Sequence, residues 1–352
     1  MDIEFMESIK NTTVLNSFVK AEAILSSHDE VLCSISGGAD SDIMVDLLHR
    51  VGDENVTYVW FDTGMEYQAT KDHLKYLEEK YGISIKRVKA IKPIPLCAKE
   101  YGQPFLSKYV STMIERLQRH NFKWEDESYE TLLTKYPNAK SALKWWCSWH
   151  DEDLAKACPS QAGKTSRYSI SRNKYLKEFL IATPPRFRIS GKCCKYAKKE
   201  VSHKTEKELH SDLVVIGVRK AEGGIRAGAY KNCFTKSESG SSIDTYRPLF
   251  WYTQEDKDYY CERFDVSHSK CYTEYGLKRT GCVGCPYGRN IVDELGIIKE
   301  NEPKLHKACT TVFKDSYEYT RKYREFCKNM RAKEYISESE EWINKINSKG
   351  SE

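Results

Sequence analysis

Three groups of residues in the 352-residue chain have types and spacings suited to chemistry. The first is Ser36-Gly37-Gly38-Ala39-Asp40-Ser41, set between an apolar run, Val31–Ile35, and a helical pattern of Ile43, Met44, Leu47 and Leu48. Paired glycines let a backbone turn tightly around an anion with no Cβ in the way. The amides that open the following helix point at the same spot and favour negative charge. Ser36 and Ser41 add hydroxyl donors. Asp40 is an acid inside an anion site, which implies a cation beside it, and Mg²⁺ is the expected one. A plain strand–helix turn explains the two glycines but not the whole string. The string is no Walker loop: the Gly163-Lys164-Thr165 triplet has Cys158 where that motif needs its first glycine.

The second group is Cys193-Cys194 together with Cys282-Val283-Gly284-Cys285. A C-x-x-C turn lets two thiolates reach one centre, and four thiolates suit a [4Fe–4S] cluster or a tetrahedral zinc. Adjacent cysteines are an awkward pair for a small tetrahedral ion, because their side chains diverge unless the backbone is distorted, and a larger cluster tolerates them better. Four reduced buried thiols, or a redox dithiol, is the plainer reading. Cys261 and Cys271 are alternatives to the adjacent pair. Cys147, His150 and Cys158 could form another metal set, although a core reading suits their Trp-rich surroundings better. Cys33, inside an apolar run, reads as a small buried hydrophobe.

The third group follows two further apolar runs. Asp62-Thr63-Gly64 closes one, and Asp62 or Thr63 could orient a ribose or an adenine edge. Gly217-Val218-Arg219 closes the other, with Arg226 shortly after. Arginine suits bidentate contact with phosphate, so Arg219 and Arg226 are candidates for stabilising its charge.

These groups need elements to hold them. Apolar runs at 31–35, 56–61, 83–88 and 213–218 read as strands. Residues 67–81 read as a helix with Leu74, Leu77 and Tyr81 on one face. Strands alternating with helices give parallel β-α-β units, and ligands then sit beyond the carboxyl ends of the strands. Thr253 and Asp256 have the spacing of a helix-capping pair. The division expected is residues 1–92 as the first part of the core and 93–190 as a mostly helical insertion. Residues 191–290 continue the core with the cysteines, and 291–352 form a helical extension.

Net charge is +5, which allows an anionic ligand without demanding one. No apolar run is long enough to cross a bilayer. The thirteen cysteines are odd in number, two are adjacent, and no secretory leader is visible. A cytoplasmic protein with thiols or metal ligands is the expectation, and no membrane partner.

With these residues in view, the chain resembles the phosphoadenylyl-sulfate (PAPS) reductase family. SGGADS is similar to the loop of ATP pyrophosphatases. Phe61–Glu66 resembles the family's DTG loop, and Gly217-Val218-Arg219 its G-x-R segment. Pro248–Asp256 resembles a "PL-x-x-W-T-x-E-D" segment, and the Cys-Cys…Cys-x-x-Cys pattern that of iron–sulfur sulfonucleotide reductases. The resemblance implies a Rossmann-like α/β sheet of the adenine-nucleotide α-hydrolase type, with a mostly helical insertion and a helical C-terminal extension. It implies ATP binding by Ser36, Gly37, Gly38, Asp40, Ser41, Asp62, Thr63, Gly64 and Gly217. It also implies a [4Fe–4S] cluster, or zinc, on Cys193, Cys194, Cys282 and Cys285. The intact loop tilts the reading to adenylation of an acceptor for sulfur incorporation, as in DNA-phosphorothioation proteins. Nucleic acid is a possible acceptor, with a cysteine desulfurase as the sulfur donor. The alternatives are a sulfonucleotide reductase drawing its thiol from elsewhere, such as Cys327, and a non-catalytic nucleotide- or nucleic-acid-binding module with structural zinc.

Overall fold

The computed structural model describes residues 2–151, 156, 165–223, 228–237 and 243–349. Six strands make one sheet: β1 (Val31–Ile35), β2 (Val56–Asp62), β3 (Ile85–Lys89), β4 (Leu213–Ile216), β5 (Phe234–Thr235) and β6 (Asp244–Tyr246). Their order is β3-β2-β1-β4-β6-β5, and every pairing is parallel except β5 with β6. The expected α/β, Rossmann-like parallel sheet is present. The sequence reading found β1 to β4 but missed β5 and β6, which are two and three residues long and carry no extended apolar pattern.

Alternation along the strands builds a core on both faces. Val31, Cys33 and Ile35 face one side with Tyr58, Trp60, Leu213 and Val215. Leu32, Val59 and Val214 face the other. The first side is covered by α2 (Thr12–Leu25), α3 (Ala39–Val51) and α4 (Gln68–Tyr81), which follow α1 (Ile3–Ser8). Ile43, Met44, Leu47 and Leu48 of α3 are fully buried, as their spacing implies. Leu74 and Leu77 of α4 are buried too, and Gly82 ends that helix in the left-handed conformation. Thr253 and Asp256 form the expected capping box at the start of helix Gln254–Phe264.

The chain leaves β1, builds outward through β2 and β3, and returns to β4 on the other side of β1. The loops after β1 and β4 therefore open at a topological switch point, where ligands of such sheets gather. These are the SGGADS loop and Gly217–Arg219.

Two compact units share the chain. One comprises Met1–Leu96, Cys193–Cys285 and Asn290–Cys309; the other comprises Cys97–Lys192, Pro286–Arg289 and Thr310–Glu352. The C-terminal stretch expected as one extension from 291 thus divides between them. In the second unit Trp145 and Trp146 are fully buried. The long helix Lys314–Lys349 lays Tyr319 and Tyr323 against the same aromatic core, beside Phe105 and Phe179. These tryptophans fill a core. Cys147 packs beside them, and Cys158 lies outside the described residues.

Candidate functional site

At the end of β1 the chain makes a turn that glycine alone tolerates well. Gly37 has φ +67°, and a Cβ there would lie 2.6 Å from Thr70 Cγ2. Gly38 is the N-cap of α3, so the helix opens with its first amides uncovered by any capping side chain. Ser41 Oγ accepts from the Ser36 amide and meets Ser36 Oγ, both at 2.9 Å. The two serines thus brace the loop from within.

Asp40 points to two basic side chains. Arg219 Nε lies 3.1 Å from Oδ2, and Lys257 Nζ lies 2.5 Å from Oδ1. Burial would raise the Asp40 carboxyl, but Lys257 and then Arg219 hold it below the usual range. Lys257 is itself only 8 % exposed. In this structure Lys257 and Arg219 face the carboxylate beside which the sequence reading expected Mg²⁺. The Asp40–Arg219 pairing unites two residues that sequence reasoning named separately. Lys257 was missed: it sits one residue past the capping aspartate, in a helix read only as structure. Arg226 lies outside the described residues.

Two more acids of α3 have different partners. Asp42, fully buried, accepts from His73 Nε2 at 2.9 Å and His268 Nδ1 at 2.8 Å. The other face of His268 meets Cys261 Sγ at 3.4 Å. Burial opposes the charge, yet the Asp42 and Cys261 contacts push His268 up to about 9. Asp46 binds Arg50 Nε at 2.6 Å and the hydroxyls of Tyr260 and Tyr81. These contacts fasten α3 to its neighbours.

After β2, the Asp62 carboxylate accepts from the Gly64 amide at 2.9 Å, and Thr63 donates its hydroxyl to Glu66 at 2.5 Å. Thr63 is 1 % exposed, so its hydroxyl is committed inside the loop. Burial pushes Glu66 up to about 6 against the Thr63 bonds. The Met65 carbonyl accepts from the Val283 amide at 3.1 Å, which ties this loop to the C-x-x-C turn.

Cys193 lies within electrostatic reach of the other three predicted cysteines. Cys193 is raised by its Cys194 contact, then by burial and by the charges of Cys194, Cys285 and Cys282. Burial also raises Cys282, opposed by Lys198, which hydrogen-bonds it. Cys193 and Cys194 end a helical turn that passes into a π-helical one, Lys195–Lys199. Such bulges often mark functional sites. Gly284 has φ +62° and closes the C-x-x-C turn. Lys198, four residues after Cys194, was missed by the sequence reading. Cys271 is buried against Thr70, and Cys261 is held by His268. Cys309, also missed, lies under the C-x-x-C turn on the Val283 carbonyl. Among the described residues no group of three or more His, Cys, Asp or Glu is arranged to hold a metal ion. Lys198 bonds Cys282 and acts on Cys194, and four thiols are by their chemistry a donor set suited to a thiolate-bound centre.

Residues 30–140 match the phosphoadenosine phosphosulfate reductase domain. The resemblance read from the loops is thereby shown for this segment. The match runs into the helical insertion, which sequence reasoning had left outside it, and stops short of the cysteines. Curated protein sequences give no match. Among solved structures, PAPS reductase from Candida auris, a phosphate complex, shares 14% identity. It covers 80% of this chain and 96% of that one, with a TM-score of 0.40. U34-tRNA thiolase NcsA from Methanococcus maripaludis, with its [4Fe-4S] cluster, shares 13% over 88% of this chain and 78% of that one, TM-score 0.33. FMN adenylyltransferase from Candida glabrata, with FMN and an ATP analog, shares 10% over 80% and 68%, TM-score 0.41. No helix among the described residues is long and apolar enough to cross a membrane.

Proposed function

We propose that this protein binds ATP at the SGGADS loop and cleaves it between the α- and β-phosphates, transferring AMP to an acceptor for sulfur incorporation. The observation that carries the reading is the pairing of buried Lys257 and half-buried Arg219 with Asp40 beside the loop. A triphosphate entering there meets the opening amides of α3, the hydroxyls of Ser36 and Ser41, and two cations already in place. Preorganised cations of this kind stabilise charge that develops on a departing pyrophosphate without reorganising. Asp40 acts as their holder: it keeps Lys257 and Arg219 aimed until the polyphosphate arrives. Mg²⁺ accompanies ATP as counter-ion on the phosphates rather than as a ligand of Asp40.

The remaining roles follow from position. Asp62, Gly64 and Gly217 line the strand ends where the nucleoside would lie, and Arg226 is a further candidate for phosphate charge. Cys193, Cys194, Cys282 and Cys285 would hold a [4Fe–4S] cluster, or zinc, and such a centre would supply thiolate-bound metal chemistry for sulfur delivery. Nucleic acid is the proposed acceptor and a cysteine desulfurase the proposed donor. A sulfonucleotide reductase using Cys327 is less well supported: that thiol sits on the Lys174 carbonyl, beside the aromatic core of the second unit.

The test is product analysis. Anaerobically purified protein is incubated with Mg²⁺, ATP and pooled tRNA or duplex DNA. Pyrophosphate should appear with an equal amount of AMP, carried on the acceptor until a sulfur nucleophile displaces it, and more slowly with Asp40→Ala. ADP and phosphate as products, or full pyrophosphate release by Asp40→Ala, would sink the mechanism.

A further inference from the structure

Three hydroxyl oxygens surround Gly38, and two come from a distant part of the chain. A Cβ built on Gly38 would lie 3.0 Å from Tyr272 Oη, 3.0 Å from Thr280 Oγ1 and 3.2 Å from Ser36 Oγ. A side chain at Gly38 would press on all three hydroxyls. Tyr272 follows Ser269, whose hydroxyl caps the short helix Lys270–Thr273, and Thr280 lies two residues before Cys282. The two are doubly joined: Tyr272 Oη meets Thr280 Oγ1 at 3.0 Å and accepts from the Thr280 amide at 3.1 Å. The Ala39 amide, the first of α3, also lies close to the Tyr272 hydroxyl. The phenol oxygen thus stands where the opening amide of α3 would receive a phosphate oxygen.

We infer that Tyr272 and Thr280 form a hydroxyl gate on the phosphate loop, which a polyphosphate displaces and which passes that displacement to the C-x-x-C turn. The inference rests on the phosphate-binding role proposed above for SGGADS. A phosphate oxygen is a stronger acceptor than a phenol, so it takes the Ala39 amide and the Tyr272 hydroxyl moves. Because Tyr272 holds both the side chain and the backbone of Thr280, the 278–281 segment moves with it. That segment enters Cys282, while the next residue, Val283, stays bonded to the Met65 carbonyl. The displacement is therefore delivered at Cys282 itself. Ligands lacking a β-phosphate leave the gate shut, so the same two hydroxyls discriminate ATP and pyrophosphate from AMP.

The experiment uses the full chain, purified anaerobically, with pyrophosphate as the probe. Calorimetry measures binding, and hydrogen–deuterium exchange follows the peptide spanning 276–286. For the native protein, saturating pyrophosphate should speed exchange in that peptide at least tenfold, whereas AMP should leave it within twofold. Tyr272→Phe should bind pyrophosphate and show less than a twofold change. Thr280→Val is the second variant, expected to behave alike and to keep the helix Lys270–Thr273 intact. If pyrophosphate binds and either folded variant keeps the native response, or the native protein shows none, the gate is refuted while the phosphate site stands. If the native protein binds neither pyrophosphate nor ATP, the proposed function itself is refuted.

Discussion

The phosphate loop and the cysteine group belong to the same unit, yet they balance charge in opposite ways. At the loop one carboxylate, Asp40, faces two cations, Lys257 and Arg219. The balance there is positive, and the two cations hold the Asp40 carboxyl below the usual range. At the cysteines four thiols crowd one another, and a single lysine, Lys198, favours the thiolate form of Cys282. The loop is built to receive an anion. The cysteines are suited instead to a thiolate form stabilised by a cation, which is the basis on which a metal centre is proposed for them.

The widest separation between the two regions should come from Lys257→Ala. Removing a preorganised cation costs roughly 10²–10³-fold in rate. Pyrophosphate release should fall by that factor, while metal content per chain stays unchanged. Cys282→Ser should do the reverse: bound metal, read by elemental analysis, falls by more than half, and ATP affinity stays within about threefold. A variant that loses both properties would break the comparison and make the two regions one site.

Gly37→Ala probes the loop's shape rather than its charge. A left-handed residue with a Cβ costs roughly 1–2 kcal/mol, and the 2.6 Å approach to Thr70 Cγ2 adds to it. ATP affinity should drop at least tenfold by calorimetry. Adding Thr70→Ser, which removes the methyl, should restore part of that loss but not the backbone share.

A separate effect, on stability rather than on ligand binding, concerns how α3 is fastened. His268 is raised to about 9 in the folded chain against an ordinary 6.5. Its pairing with Asp42 is therefore fully stabilising below pH 6.5 and is lost as pH climbs through 9. The swing is on the order of 2–3 kcal/mol. Urea midpoints at pH 6 and pH 9.5 should differ more in the native protein than in His268→Gln. Equal differences would mean that this pair does not carry the pH dependence.

How far the sequence foretold these sites depends on how local each one is. SGGADS is contiguous, so its glycine turn, its serines and the N-terminus of α3 were all legible. The cysteine pairs were legible because thiols are rare and their spacing is distinctive. Lys198 and Lys257 were not, since lysine is common on helix surfaces and only the fold turns these two inward. The same applies to Tyr272 and Thr280, which meet Gly38 through a contact that no local pattern encodes. Asp40 was recognised as needing a cation, but its partners were not recognised. β5 and β6 are too short to show a period, and the buried tryptophan pair looks alike as core or as platform until packing is known.

The central claim is that the Asp40, Lys257 and Arg219 group reads the β- and γ-phosphates. Calorimetric affinities for ATP and AMP test it most directly, because binding needs no acceptor. The account predicts ATP bound at least ~100-fold more tightly than AMP, about 2.7 kcal/mol, with that margin collapsing in Lys257→Ala. AMP bound as tightly as ATP, or an unchanged margin in the variant, would contradict it.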